Sequence, residues 1–248
     1  MLEVLYQYGP FTLRTFNFFL VLGFLSSGLY LLKYIELKNL NIHFFYYNSI
    51  YLLLSAFLGG RLFTIFENFS FYFHYPLSMF FIWDMNFSFF GLLIGLITSL
   101  FFLCKQNHES FWSWFDLATI GMLPLMFFIF IGYFFSGAHY GQPTNLPWGV
   151  TFDMSYIPYT TPIHPVQLYI ALMILVLFLY AKAYTKRVHL PGVVGNRTLM
   201  VYSLGIFLLS FLESNVSLFY QVELLLLTVF AFVYYIYTSH KKITFNNQ

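Results

Sequence analysis

The sequence predicts an all-α, polytopic membrane protein of seven transmembrane helices, and three observations carry that prediction. Only 8% of the 248 residues are charged and 60% are hydrophobic, whereas a soluble domain typically carries about 25% charged residues because it faces water on every side. Runs of roughly 20 apolar residues, the length that crosses a bilayer core, recur along the chain. The cations also fall very unevenly between the segments separating those runs.

Taken in order, the first run covers about 15–33. The stretch before it, MLEVLYQYGPF, lacks a basic region and a small-residue cleavage site. This helix is therefore expected to stay in the membrane rather than be removed as a signal peptide. The second run, about 46–66, carries Arg61, with Glu67 just beyond it, and the two are expected to be near neighbours on the outer side. Residues 67–86, ENFSFYFHYPLSMFFIWDMN, are too aromatic for a free loop and are expected to lie in the membrane interface, where Trp and Tyr anchor. The third run is about 87–104. The fourth, about 116–136, opens on Asp116, read as a helix-start residue near the cytoplasmic surface.

Residues 137–164 contain Gly141, Pro143, Pro147, Gly149, Pro158 and Pro162 but no Lys or Arg. They read as an ordered outer-face loop or small cap. The fifth, sixth and seventh runs cover about 165–184, 198–213 and 217–238, the last two separated only by Glu213, Ser214 and Asn215. Glu223 falls inside the seventh and receives no role. The tail ITFNNQ is expected to fray. No repeat or linker divides the chain, so residues 1–248 read as one membrane domain.

Lys33, Lys38, Lys105, Lys182, Lys186, Arg187, Arg197, Lys241 and Lys242 all fall on one side of a seven-span topology, leaving only Arg14 and Arg61 for the other. The positive-inside rule makes the Lys-rich side cytoplasmic, with the N-terminus outside. The net charge of +2 is too small to suggest a nucleic-acid partner. The single cysteine, Cys104, excludes an intramolecular disulfide.

Ionisable residues at bilayer depth are costly and mark function by default. Arg61 either satisfies itself structurally or anchors an anionic lipid headgroup, since a guanidinium meets phosphate through two parallel hydrogen bonds. His139 and His164 flank the outer loop. Their spacing forms no metal motif, and no GxSxG, HExxH or paired-carboxylate signature is present.

Three segments carry a resemblance to a known family. They are Gly9-Pro10-Phe11 with Arg14; LGGRLF (59–64) through Pro76-Leu77 and Trp83 to SFFGLLIG (88–95); and SFWSWFDLATIGMLP (110–124), SGAHYGQPTNLPWGVTF (136–152) and HPVQLY (164–169). In this order they resemble the prolipoprotein diacylglyceryl transferase family. The resemblance implies a bacterial inner-membrane protein with seven spans, with membrane phospholipid and lipoprotein precursors as partners and no cofactor or metal. The implied reaction moves diacylglyceryl from phosphatidylglycerol to a precursor cysteine and releases glycerol phosphate.

Several positions depart from the family pattern. The histidine of its Phe-His-Gly-Gly stretch reads Phe90. The arginine of its Gly-Arg-x-Gly-Asn/Cys-Phe stretch reads Phe130, and the Asn/Cys reads Tyr133. A first-span tyrosine reads Phe16, and a sixth-span arginine falls near Leu208. Phenylalanine neither accepts a proton nor pairs with phosphate, so each replacement removes a role.

Two readings follow. One is a divergent enzyme whose centre is rebuilt from His139, His164, Tyr140 and Arg61, with His139 as substitute base. The other is a non-catalytic scaffold that binds lipid or lipoprotein precursors. The lipid-binding candidates are Arg61, Gly141, Gln167 and Tyr169. No matched pair of broken spans argues for a transporter.

Overall fold

The computed structural model describes residues 4–8, 11–81, 87–154, 156–186 and 190–246. Gly9, Pro10, Trp83 and Arg187 lie outside the described residues. Among the described residues, seven helices are long and apolar enough to cross a membrane. They are α1 (Thr15–Leu37), α2 (Ile42–Glu67), α4 (Phe89–Gln106), α5 (Phe111–Ser136), α6 (Val166–Thr185), α7 (Val193–Ser210) and α8 (Leu218–Asn246). A short α3 (Phe69–His74) and a 3-10 turn (Pro76–Phe80) occupy the aromatic segment after α2. The expected seven-helix architecture is therefore present.

An N-terminal hairpin adds to it, with β1 (Val4–Tyr8) antiparallel to β2 (Phe11–Arg14). A search for spans of about 20 residues passes over strands this short. The tail expected to fray is helical as far as Asn246.

The chain divides into two compact units, Met1–Tyr34 with Asp116–Gln248, and Ile35–Phe115. In the second unit α2 packs on α4 through glycines. A methyl group added at Gly59 would stand 2.5 Å from the Gly91 carbonyl oxygen and 2.9 Å from Gly95 Cα, so the two backbones approach as only small residues allow. Ser88 caps α4, its Oγ accepting from the Gly91 N–H at 3.4 Å while its own N–H donates to Thr64 Oγ1 at 2.7 Å.

In the first unit, polar side chains join neighbouring helices and reach backbone carbonyls inside them. Pro124 lies inside α5, which continues through it, and in the turn before it the Gly121 carbonyl accepts from Ser27 Oγ on α1 at 2.7 Å. Between α7 and α8, Asn196 Nδ2 donates to the Ala231 carbonyl at 2.9 Å, Thr228 Oγ1 to Ser203 Oγ at 2.9 Å, and Gln221 Nε2 to Ser210 Oγ at 3.1 Å. The α7 members of this ladder recur every seven residues, on one face.

Asp116 corrects the expected start of the fourth span. The helix begins at Phe111, because the aromatic residues 111–115 are themselves apolar enough to enter it. Asp116 is 1% exposed. Its Oδ2 accepts from the Gly192 N–H at 2.8 Å and its Oδ1 from the Gly195 N–H at 2.5 Å. It is therefore the cap of α7, a carboxylate at the positive end of another helix. Gly192 adopts a left-handed φ of 87°, and a side chain at Gly195 would collide with Thr119 and Asp116. This cap starts α7 at Val193, five residues before the expected 198, and α7 ends at Ser210.

Asp116→Ala leaves two buried N–H groups unpaired, at about 1–3 kcal/mol each. The variant is expected to lose about 3 kcal/mol of stability, checked by equilibrium unfolding in detergent; unchanged stability would remove the cap from the account.

Candidate functional site

The site grows from the end of α5. Gly137 turns the chain with a left-handed φ of 68°, a conformation glycine adopts at no steric cost, and Tyr156 Oη donates to the Ser136 carbonyl. Gln167, wholly buried on α6, donates from Nε2 to the Ala138 carbonyl at 2.7 Å. His139 then adopts φ 55°, a strained region for a non-glycine residue that persists only where neighbours enforce it.

Beyond His139 the chain is extended and paired on both edges. On one edge Ser214 N donates to the Tyr140 carbonyl at 2.9 Å, Gln142 N to the Leu212 carbonyl at 2.9 Å, and Gly141 bridges Glu213. On the other edge His164 N donates to the Gln142 carbonyl at 3.0 Å and Thr144 N to the Pro162 carbonyl at 2.8 Å. Phe152, Ile157 and Ile163 form a small apolar core beneath, so the 137–164 segment is an ordered cap.

This pairing brings Glu213 to His139. Glu213 sits opposite Gly141 in an antiparallel bridge, two residues along the chain from His139. Glu213 Oε1 bonds His139 Nδ1. The Glu213 side chain is 9% exposed and that of His139 45%, so a nearly buried carboxylate holds a ring that opens outward. Such a carboxylate fixes the imidazole tautomer and orientation, leaving Nε2 for proton transfer. Sequence reasoning read Glu213 only as part of a separator between spans. The available signal was its isolation, since Glu213 and Glu223 are the only acids after Asp153.

Aromatic rings continue from the pair. Tyr133 lies 4.7 Å from the His139 ring, stacks on Phe16 at 5.2 Å and meets Phe130 edge-on at 5.7 Å. In the other unit Phe90 meets Phe63 edge-on at 5.3 Å. Leu208 is 58% exposed and Ile206 is buried, so position 208 points away from the interior of its unit.

His164 belongs to a different cluster. Its Nδ1 lies 3.4 Å from Tyr169 Oη, which accepts from Trp148 Nε1 at 2.7 Å. Among the described residues no hydrogen bond joins His139 to His164. Gly141 packs against the His164 backbone and Val166. Glu223 is buried in α8. Among the described residues, His, Cys, Asp and Glu do not group in threes as a metal site requires.

Arg61 lies in the Ile35–Phe115 unit. Its Nη2 donates to the Ser78 carbonyl at 2.7 Å and the Phe81 carbonyl at 2.8 Å, and its Nε to the Met79 carbonyl at 3.1 Å. The Tyr72 ring lies 5.5 Å from the guanidinium. Arg61 and Glu67, expected as near neighbours, form no ion pair with each other among the described residues, and six residues along a helix set their side chains about 120° apart. Arg61 thus fastens the turn after α3.

Over residues 3–243 the chain matches the prolipoprotein diacylglyceryl transferase family. It is 28% identical over 172 residues to the phosphatidylglycerol–prolipoprotein diacylglyceryl transferase of Ehrlichia canis, covering 67% of this chain and 64% of that protein. The enzyme of the same name from Nitratidesulfovibrio vulgaris (strain DP4) is 33% identical over 173 residues, 68% of this chain and 65% of that protein. For the one from Pasteurella multocida the identity is 28% over 225 residues, 84% and 77% respectively. The chain thus spans slightly less than two thirds of the length of the first two relatives.

Lysine offers a point charge without the planar fork of arginine. Arg61→Lys is therefore expected to release the 75–81 turn by about 1–3 kcal/mol, read as faster hydrogen exchange confined to those residues. Exchange at the wild-type rate would contradict the clamp.

Proposed function

The chain belongs to the prolipoprotein diacylglyceryl transferase family, and from that membership we propose that it transfers diacylglyceryl from phosphatidylglycerol to a lipoprotein-precursor cysteine, with His139 as base and Glu213 as its orienting carboxylate. The observation that carries this reading is the bond from Glu213 Oε1 to Nδ1 of an outward-facing histidine. His139 Nε2 takes the thiol proton. The sulfur attacks the glyceryl carbon, and the carbon–oxygen bond to phosphate breaks as glycerol phosphate leaves with the electron pair. Glu213 stabilises the imidazolium that forms. Gln167 supports the arrangement through the Ala138 carbonyl next to His139.

The protein is a multi-pass membrane protein of the bacterial inner membrane. The clustering of cations in alternate inter-helix segments supports, by the positive-inside rule, an external N-terminus and a cytoplasmic C-terminus.

A second reading has its own observation. Phe16, Phe130 and Tyr133 pack into one aromatic chain at positions where the resemblance implies polar groups. That packing favours a non-catalytic scaffold for lipid or lipoprotein precursors.

One assay separates the two. Purified protein given phosphatidylglycerol and a lipobox peptide is expected to add a diacylglyceryl mass to the peptide cysteine. His139→Ala is expected to slow the reaction about 100-fold or more and Glu213→Gln by a smaller factor, general-base contributions being about 10²–10⁴. Lipid binding without any added mass would leave the scaffold reading standing. Full activity in His139→Ala would remove this base.

A further inference from the structure

We propose that Arg197 holds the phosphate of an anionic phospholipid headgroup, at a site separate from the His139–Glu213 pair, where the end of α6 and the start of α7 meet α8. Arg197 sits on the second turn of α7, half-buried. Its guanidinium carbon lies 5.4 Å from the Tyr184 ring centroid on α6 and 5.2 Å from that of Tyr235 on α8. Both distances fall within the range of cation–π attraction. Nη1 donates to Tyr184 Oη at 3.2 Å, while Nε is buried and has no hydrogen-bond partner among the described residues.

No carboxylate among the described residues pairs with Arg197. The sequence around it holds none to offer, for residues 154–212 and 224–248 contain no Asp or Glu. Lys182 and Lys186 at the end of α6 add positive charge, and Lys241 and Lys242 follow Tyr235 along the sequence. A cation drawn into a helix bundle without a counter-ion is costly, and its neighbours here orient the charge without neutralising it.

The positive-inside rule explains exposed lysines at such an end. It does not explain an arginine wedged between two aromatic rings with an unused N–H. A phosphate oxyanion does, because it accepts from a planar guanidinium through parallel charge-assisted bonds and is drawn to a basic pocket between helices. On the second turn of a membrane-spanning helix, that oxyanion is a lipid headgroup.

The test uses phosphatidic acid, which carries the phosphate but is not the donor in the proposed transfer, so its result is independent of that activity. Delipidated full-length protein in neutral detergent is titrated with phosphatidic acid or with phosphatidylcholine and bound lipids are counted by native mass spectrometry. Wild type is expected to retain one phosphatidic acid more than Arg197→Gln, or to bind it about 10- to 100-fold more tightly, the range for loss of one charge-assisted bond. Arg197→Lys should fall between them. Tyr235→Leu, which keeps the charge and removes one ring, should weaken binding by a smaller factor and serves if Arg197→Gln does not fold. Equal phosphatidic acid binding by wild type, Arg197→Gln and Tyr235→Leu overturns the proposal. Displacement of the lipid by inorganic phosphate at matched concentration overturns the headgroup assignment, and equal retention of phosphatidylcholine overturns the anionic one.

Discussion

A backbone N–H or carbonyl in hydrocarbon has no water to fall back on, so each departure from regular helix must be closed by the protein itself. Asp116 is the clearest case. Its carboxylate receives the Gly192 and Gly195 N–H groups at the start of α7, which lets that helix carry the polar run Gly195-Asn196-Arg197 early in its length while largely buried. Arg61 does the converse for carbonyls, gathering those of residues 78, 79 and 81 into one fork. In both places a charge that marks function in a membrane chain by default also holds backbone groups in place. Charge alone therefore separates poorly between a site and a clamp; the partner decides.

The His139–Glu213 pair differs from those clamps in its exposure. The carboxylate is nearly sealed and the imidazole is open, an asymmetry that a purely structural pair does not need. Its geometry rests on extended pairing rather than on helices. Segment 140–142 is bonded to 212–214 on one edge and to 164 on the other. The strained φ at His139 is held between Gly137, the Ala138 carbonyl on Gln167 and this pairing. A residue held against its own backbone preference from two sides has little freedom to point elsewhere.

The spans were legible because lipid solvent leaves long apolar runs with few interruptions. Their ends were less so. Asp116 looked like a boundary because a carboxylate is dear in hydrocarbon, and only contact with residues about 76–79 positions downstream reveals why it is tolerated. Glu213 was passed over for the same reason, its partner lying 74 residues away. The aromatic text of residues 67–80 was readable as a non-spanning segment, and it forms a short helix and turn with exposed rings such as Phe69, Phe73 and Phe80. Gly141 and Gln167, which stand out in the motif text, take part in close backbone approach and in holding the Ala138 carbonyl. What escaped the sequence was long-range pairing, which leaves no local period.

The seven-residue ladder on α7 acts as a vernier against α8. Sliding either helix by one turn would separate Asn196, Ser203 and Ser210 from Ala231, Thr228 and Gln221 together, in surroundings that offer few substitutes. The depth of α8 in the bilayer is thereby fixed to that of α7 over most of their shared length. Tyr235 is held level with Arg197 as a result, and any force that draws the last helix outward meets all three bonds at once.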